Sequence, residues 1–398
     1  MFLCFNVFMK ILEGSNAIAQ VVKLAKPAVV SAYPITPQTH IVEELAKMKS
    51  KEKVSYEFVR AESEFAACSI VLGASATGVR SYTATCSQGL LLMTEVVFTI
   101  AGLRLPVVMT CANRAVSAPI NIWNDQQDSM TVRDSGWLFL YAETVQEAVD
   151  MHLLAFRLAE TLQIPVMVNV DGFVITHTFE PVEIPSQELA NKFLPAYKPD
   201  PKYILNVEKP ISMGCFAAPD KYMELREELH QNLVDSQALI KKYSTEFKKV
   251  FGRNIGNNGL VEEYKLKDAD LVLVSMGSVC GTIKEVIDEE RKKGKKVGLL
   301  KIITFRPFPD LQIVKSLVKA KKIAVIEKAI SMGTEGPLAT DMKREAYTHK
   351  IKADIQSFVL GLGGRDISKQ MIRNVINGMK KCKGDTCIFI GKEKQFEI

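Results

Sequence analysis

Several chemistries are excluded by what this chain lacks. Its eight cysteines form no CxxC pair, and the nearest two, Cys382 and Cys387, have four residues between them. That spacing is poor for a metal site, and an iron–sulfur cluster needs about four thiolates. The thiols read instead as reduced cytosolic residues packed like small hydrophobes. The five histidines lie far apart and suggest no metal site. GxGxxG, Walker and GxSxG patterns are absent, so no dinucleotide, phosphate-loop or serine-hydrolase fingerprint is present. The formal charge of +6 is mild and owes much to lysine-rich stretches such as ERKKGKKVG, residues 290–298. Such a run reads as a solvated face, and no nucleic-acid-binding motif accompanies it. No apolar run is long enough for a membrane span. The opening MFLCFNVF (1–8) is apolar, but it is short and has no basic flank to make it a signal. The fold is expected to begin near Met9, and the chain to be cytoplasmic.

What is present is a soluble globular composition, 47% hydrophobic and 24% charged, over 398 residues. That length favours two domains. Strand-like runs alternate with helix-like runs: AVVSAY (28–33), VSYEFV (54–59), RSYTAT (80–85), LPVVMTCA (105–112), LFLYA (138–142) and IPVMVNVD (164–171). Near-continuous apolar strands between helices predict a parallel sheet covered on both faces. KILEGSNAIAQVVKLA (10–25) reads as an amphipathic helix, and the proline-rich stretch 176–222 as an extended wrapping segment. A charged helix near 220–250 and the turn-rich GRNIGNNG (252–259) follow. A second α/β series then runs through DLVLVSMG, KVGLLKI, KIAVIE and IQSFVLGLGG. A boundary near residue 255 divides the chain into 1–255 and 256–398.

In open parallel sheets, ligands bind at the carboxyl ends of the strands. Four loops of the first domain fall there. In PITPQT (34–39), the prolines restrict their neighbours, so Thr36 is expected to be extended with its hydroxyl aimed past the strand end. A rigid turn with Thr39 capping the next helix is an equal alternative. RAESE (60–64) carries Glu62 and Glu64, which must point different ways at a helix start. In CSQG (86–89), backbone N–H groups could receive a polar ligand group, though helix capping is the favoured role for Ser87. The fourth loop, 113–128, begins with Arg114, whose guanidinium fork matches a carboxylate. The alternative is that Arg114 pairs with Asp125 or Asp128 and merely pins the loop. MGSVCGT (276–282) reads as a tight turn.

Taken in order, SAYPITPQTHIVEELA, ESEFAA, TATCSQGLLLM, ANRAVSAPINIWNDQQD, DGFVITHT and LGLGGRDI resemble a known family. It is the alpha subunit of the four-subunit 2-oxoacid:ferredoxin oxidoreductases, and most of all the pyruvate subtype, pyruvate synthase. The resemblance runs from about residue 10 to the last helix. It implies a pyrimidine-binding-type thiamine diphosphate domain followed by a transketolase C-terminal-like α/β domain. It also implies oxidative decarboxylation of pyruvate with coenzyme A to acetyl-CoA and CO2, reducing ferredoxin, or the reverse synthesis.

The implied residue roles are specific. Glu64, with Glu62 as fallback, would hydrogen-bond the cofactor's pyrimidine ring and promote the tautomer that deprotonates the thiazolium carbon. Gln88 and Gly89 would lie at the cofactor. Thr36 and Arg114 would hold the substrate carboxylate. No magnesium-binding GDG…N motif and no ferredoxin-like cysteine run are present. The diphosphate, Mg2+ and [4Fe-4S] clusters are therefore expected on the beta, gamma and delta partner subunits, with the cofactor shared across an interface. Neither a nucleic acid nor a membrane is an expected partner. The second domain is assigned assembly and no catalytic residue. Three rivals remain: the same chemistry on branched-chain 2-oxoacids such as 2-oxoisovalerate, with selectivity near Ile122 and Trp123; a non-catalytic scaffold subunit; and a simple nucleotide-binding protein.

Overall fold

The computed structural model describes residues 9–379 and 387–391, so the apolar opening and Cys382 lie outside the described residues. The strands in chain order are β1 (Lys10–Glu13), β2 (Val29–Ala32), β3 (Glu57–Arg60), β4 (Ser81–Thr85), β5 (Val108–Asn113), β6 (Leu138–Tyr141), β7 (Val166–Asp171) and β8 (Phe179–Val182). After the 33-residue helix Pro219–Phe251 come β9 (Val261–Tyr264), β10 (Leu271–Ser275), β11 (Val297–Ile302), β12 (Thr304–Arg306), β13 (Lys322–Glu327), β14 (Asp354–Val359) and β15 (Ile388–Phe389).

Seven strands form the first sheet, in the order β12-β6-β7-β5-β4-β2-β3. Its strands from the first half of the chain pair in parallel, as their unbroken apolar character requires. β4, β5, β6 and β7 are buried along their whole lengths. Phe139 and Phe156 are fully buried beside them, and burial of such a side chain contributes roughly 1.5–3 kcal/mol. The second sheet has the order β15-β14-β13-β10-β11-β9 and is parallel except for β9 at its edge. The expected α/β architecture with two parallel sheets is therefore present. No described helix is long and apolar enough to cross a membrane.

Four local expectations are corrected. The amphipathic stretch that begins at Lys10 is first a strand, and its helix, α1, covers only Gly14–Ala25. β1 pairs antiparallel with β8, so the segment expected to be merely extended contributes a strand. That segment also folds a short helix, Gln187–Phe193. β12 leaves the second half of the chain and joins β6 antiparallel, so the first sheet is completed by residues beyond 255.

The two halves are bound by buried charge. Lys301 of β11 is fully buried and bonds Glu143 at 2.6 Å and Glu262 at 2.8 Å. At the end of β7, Asp171 closes on Lys328 and also accepts the Ser278 N–H at 2.8 Å. Burial pushes Asp171 up, but Lys328 and Ser278 together hold it below the usual carboxylate range. MGSVCGT is a turn only over residues 276–278, which dock on the end of β7; its last four residues begin the helix Val279–Lys292.

Candidate active site

β5, β4, β2 and β3 are consecutive in the sheet and parallel, so the four loops that leave their carboxyl ends converge. From β2, the chain turns through Pro34 and Pro37, with a cis bond between Thr36 and Pro37. Gln38 secures the turn. It is fully buried, donates to Ala84 O at 2.6 Å and accepts the Ile35 N–H at 3.2 Å. The helix α2 (Thr39–Lys51) then begins with Gln38 at its N-cap and no side-chain cap, so the expected capping role of Thr39 is not what the turn serves. Thr36 is exposed, and its carbonyl accepts Arg114 Nη1 at 2.9 Å and Cys86 Sγ at 3.1 Å.

Arg114 is nine-tenths buried. Its Nε donates to Asn121 O at 3.0 Å. No carboxylate lies within salt-bridge distance of the guanidinium among the described residues, so pairing with Asp125 or Asp128 does not occur. It is the Arg114 backbone N–H that bonds Asp128, at 3.0 Å. Asp128 organises the corner. It is fully buried and also accepts the N–H of Ser87 at 2.8 Å, the N–H of Ser129 at 2.7 Å and Asn113 Nδ2 at 2.9 Å. Burial still pushes its carboxyl above the ordinary value, against those hydrogen bonds.

From β3, Ser63 caps the helix α3 (Glu64–Ala76) by accepting the Ala66 N–H at 3.2 Å. This leaves Glu62 exposed and turns Glu64 inward, 7% exposed. The cap that the motif contains thereby decides which of the two glutamates faces inward. No described side chain or N–H donates a hydrogen bond to the Glu64 carboxyl. Gly89 stands directly over it: a Cβ there would lie 2.7 Å from Glu64 Oε1 and 2.6 Å from Thr85 Oγ1. Only glycine allows that approach. Thr85 Oγ1 and Gln88 Nε2 are buried and have no partner.

The helix α4 (Ser87–Leu92) starts at Ser87, but the expected cap is corrected. Ser87 is the first helical residue with φ 48°, and its hydroxyl donates to Ala115 O at 2.5 Å. Its N–H is already used by Asp128. Cys86 is buried among Asp128, Arg114 and Glu64, and burial pushes its thiol well up, so it is inert at neutral pH.

The second half of the chain closes the 113–128 loop. Gly363 N–H donates to Asp125 Oδ2 at 3.1 Å, Asn121 Nδ2 donates to Gly363 O at 3.1 Å, and Gly364 N–H donates to Asn124 O at 2.6 Å. Gly363 has φ 60°, and any Cβ there would meet Asn121 Nδ2 at 2.5 Å. LGLGGRDI is therefore a clamp on the loop that carries Arg114, a role its sequence did not suggest. Ile122 and Trp123 are 37% and 52% exposed beside it.

Thr36, Glu64, Gln88, Gly89 and Arg114 thus meet at one sheet edge. Gln38, which sequence reasoning missed, and Asp128, which it named only as a partner for the Arg114 side chain, brace the loops that carry them. The orphaned Glu64 carboxyl, the free Gln88 amide nitrogen and Thr85 hydroxyl fit a ligand with both donor and acceptor groups, as an aminopyrimidine ring has.

Comparison with known proteins agrees in order along the chain. The family described as pyruvate flavodoxin/ferredoxin oxidoreductase, thiamine diphosphate-binding, matches residues 20–245. Pyruvate:ferredoxin oxidoreductase core domain II matches residues 269–372. Pyruvate synthase subunit PorA of Methanothermobacter thermautotrophicus is 48% identical, with 92% of this chain and 94% of that one covered. Ketoisovalerate oxidoreductase subunit VorA of Pyrococcus horikoshii is 40% identical, with 95% of each covered. A solved 2-oxoglutarate:ferredoxin oxidoreductase from Magnetococcus marinus shares the fold at TM-score 0.71 and 22% identity, covering 93% of this chain. The chain spans 65% of the length of that solved chain.

Proposed function

The chain belongs to the pyruvate flavodoxin/ferredoxin oxidoreductase family, and from that premise we propose that it is the alpha subunit of a pyruvate:ferredoxin oxidoreductase. Working with partner subunits, it would convert pyruvate and coenzyme A to acetyl-CoA and CO2 with reduction of ferredoxin, or catalyse the reverse. Relatives named for pyruvate reach 48% identity and those named for ketoisovalerate 40%, which supports pyruvate over the branched-chain reading. The chain is proposed to act in the cytoplasm, in its first domain (1–255), with 256–398 as a clamp and assembly domain.

One observation carries the reading: a buried carboxyl, Glu64, that no described residue satisfies, at the convergence of four loops. When bound there, thiamine diphosphate supplies a nucleophilic carbon that makes a 2-oxoacid lose CO2. Glu64 is the group that would share a proton with the pyrimidine ring. Gly89 leaves the approach open, and Gln88 Nε2 is a free donor beside it. The Arg114 fork uses Nε and Nη1 on backbone carbonyls, which leaves Nη2 for a substrate carboxylate. The exposed Thr36 hydroxyl stands on the same turn that holds Arg114. Because Gln38 and Asp128 fix both before substrate arrives, little entropy is lost on binding. Diphosphate, Mg2+ and the [4Fe-4S] clusters are assigned to the beta, gamma and delta subunits.

The test is anaerobic viologen reduction by the complex co-purified on this chain, supplied with coenzyme A and either pyruvate or 2-oxoisovalerate. Thiamine-dependent reduction that favours pyruvate is expected. Preference for 2-oxoisovalerate would move the substrate to the branched-chain class. No reduction with either, from a complex with intact clusters, would leave only a scaffold role.

A further inference from the structure

We propose that Glu13, His40 and His177 form a binding site for a divalent transition metal, with Zn2+ the best match. The three side chains each present a ligand atom, and these atoms all lie within 4.8 Å of one another. Tetrahedral Zn2+ with bonds of about 2.0–2.1 Å places its ligand atoms about 3.4 Å apart. Small side-chain adjustments close that difference. Two imidazoles and one carboxylate with an open fourth position is a ligand set zinc commonly takes.

The site is built on a rigid frame drawn from three parts of the chain. Glu13 ends β1 and sits at the N-cap position of α1, yet its carboxylate caps nothing. It turns to His40 Nδ1 instead, 2.6 Å away. His40 lies in the first turn of α2. His177 is held on both sides: Gly14 N–H donates to Thr178 O at 3.1 Å, and Ser15 N–H donates to Thr176 O at 2.8 Å. The Ser15 hydroxyl donates to the same Thr176 carbonyl at 2.8 Å. These bonds fix the backbone of Glu13 and His177 relative to each other before any ion arrives, which lowers the cost of binding.

The outer contacts suit a metal ligand. His177 Nδ1 is 2.7 Å from Thr176 Oγ1. With Nδ1–H donating there, Nε2 presents its lone pair, the usual arrangement for a ligating histidine. The His40 and His177 ring centroids are 4.6 Å apart, and a ladder continues through Phe173 at 4.8 Å to Trp123 at 4.5 Å. An ion at the histidine end would therefore fix the start of α2, just beyond Thr36, and steady the ring stack that ends on the 113–128 loop. The other carboxylate cluster of this kind among the described residues, Glu143, Glu147 and Glu262, differs in that Lys301 and Lys284 already fill it.

The test is calorimetric titration of ZnCl2 into the intact complex, previously dialysed against a mild chelator, with zinc-edge X-ray absorption on the loaded sample. One Zn2+ per copy of this chain is expected. The absorption should report imidazole nitrogen and carboxylate oxygen near 2.0 Å and no sulfur. The His40→Ala, His177→Ala double variant should bind at this site at least about 100-fold more weakly, with unchanged iron and thiamine diphosphate contents. If that variant does not assemble, Glu13→Gln, which can keep its hydrogen bond to His40, should still weaken binding about 10-fold. Equal zinc binding in wild type and variants, or sulfur scattering near 2.3 Å in place of nitrogen, would overturn the proposal and leave the three residues a hydrogen-bonded surface cluster.

Discussion

Asp128 and Glu64 are buried carboxylates at the same edge of one sheet, and they are treated in opposite ways. Asp128 is fully buried and accepts three backbone N–H groups and the Asn113 amide. Glu64 is nearly as buried, and no described donor meets it. Its oxygens are not among the fully enclosed unpartnered atoms, as Thr85 Oγ1 and Gln88 Nε2 beside it are, so the carboxyl still meets the cleft. A fold that satisfies one carboxylate so fully and leaves its neighbour bare is built around a partner that arrives from outside. Asp128 belongs to the scaffold, and Glu64 is the group proposed for the chemistry. Glu327 stands between them: fully buried, it accepts the N–H groups of Leu338 at 2.9 Å and Ala339 at 3.2 Å.

The contrast can be broken by substitution. Asp128→Ala strands four buried donors at once and should have the largest effect on folding, a loss of at least about 3 kcal/mol. Reduced soluble yield and a lowered melting temperature of the purified chain would register it; a near-neutral melt would show that Asp128 is not the scaffold's centre. Arg114→Lys should lower the melt by less, through the lost hydrogen bonds to Asn121 and Thr36. Its main cost is one of recognition, since an ammonium cannot present the planar fork. The pyruvate KM should rise about 10–100-fold, the worth of roughly one charged hydrogen bond. Unchanged kinetics would remove Arg114 from the substrate site.

Gly89→Ala sharpens the comparison from the other side. The added methyl would meet Glu64 and Thr85, so a cost of about 1–3 kcal/mol is expected, together with weaker thiamine diphosphate binding measured by equilibrium dialysis. Normal affinity would mean that the approach to Glu64 is not the cofactor's route. The pH response concerns Glu327, which burial pushes up to about 8 from an ordinary value of 4.5. Between those values the folded chain keeps a proton that the unfolded chain has shed. Stability should therefore fall as pH rises through this window, by about 1.4 kcal/mol per pH unit. Melting curves of Glu327→Gln should lack that slope, and a slope that persists would assign it to another group.

The alternation of apolar strands and helices was legible because both faces of a parallel sheet are covered, which leaves long apolar runs in the chain. The convergence of the four loops was legible too, since Thr36, Glu64, Gly89 and Arg114 each follow a strand within a few residues. Asp128 was not, because its role depends on the N–H groups of Ser87 and Arg114, brought in from the ends of other strands, and in a polar loop it looks like its neighbours. Ser87 misled for a related reason: its hydroxyl found Ala115 across the corner rather than its own helix. β12 is three residues long and has no pattern of its own; it is a strand only because β6 offers an open edge. The histidines seemed unconnected for want of the β1–β8 pairing that sets Glu13 beside the segment carrying His177.

The most direct measurement is turnover and melting temperature of the complex that carries Glu64→Gln, assayed anaerobically with pyruvate, coenzyme A and a viologen. Glutamine keeps the shape of the side chain and removes the charge and the exchangeable carboxyl proton. Turnover should fall at least about 100-fold, as loss of an acid–base group does, while the melting temperature holds because no described donor depends on the carboxyl. Turnover that survives, or a chain that loses stability instead, would contradict the assignment of Glu64 to the chemistry.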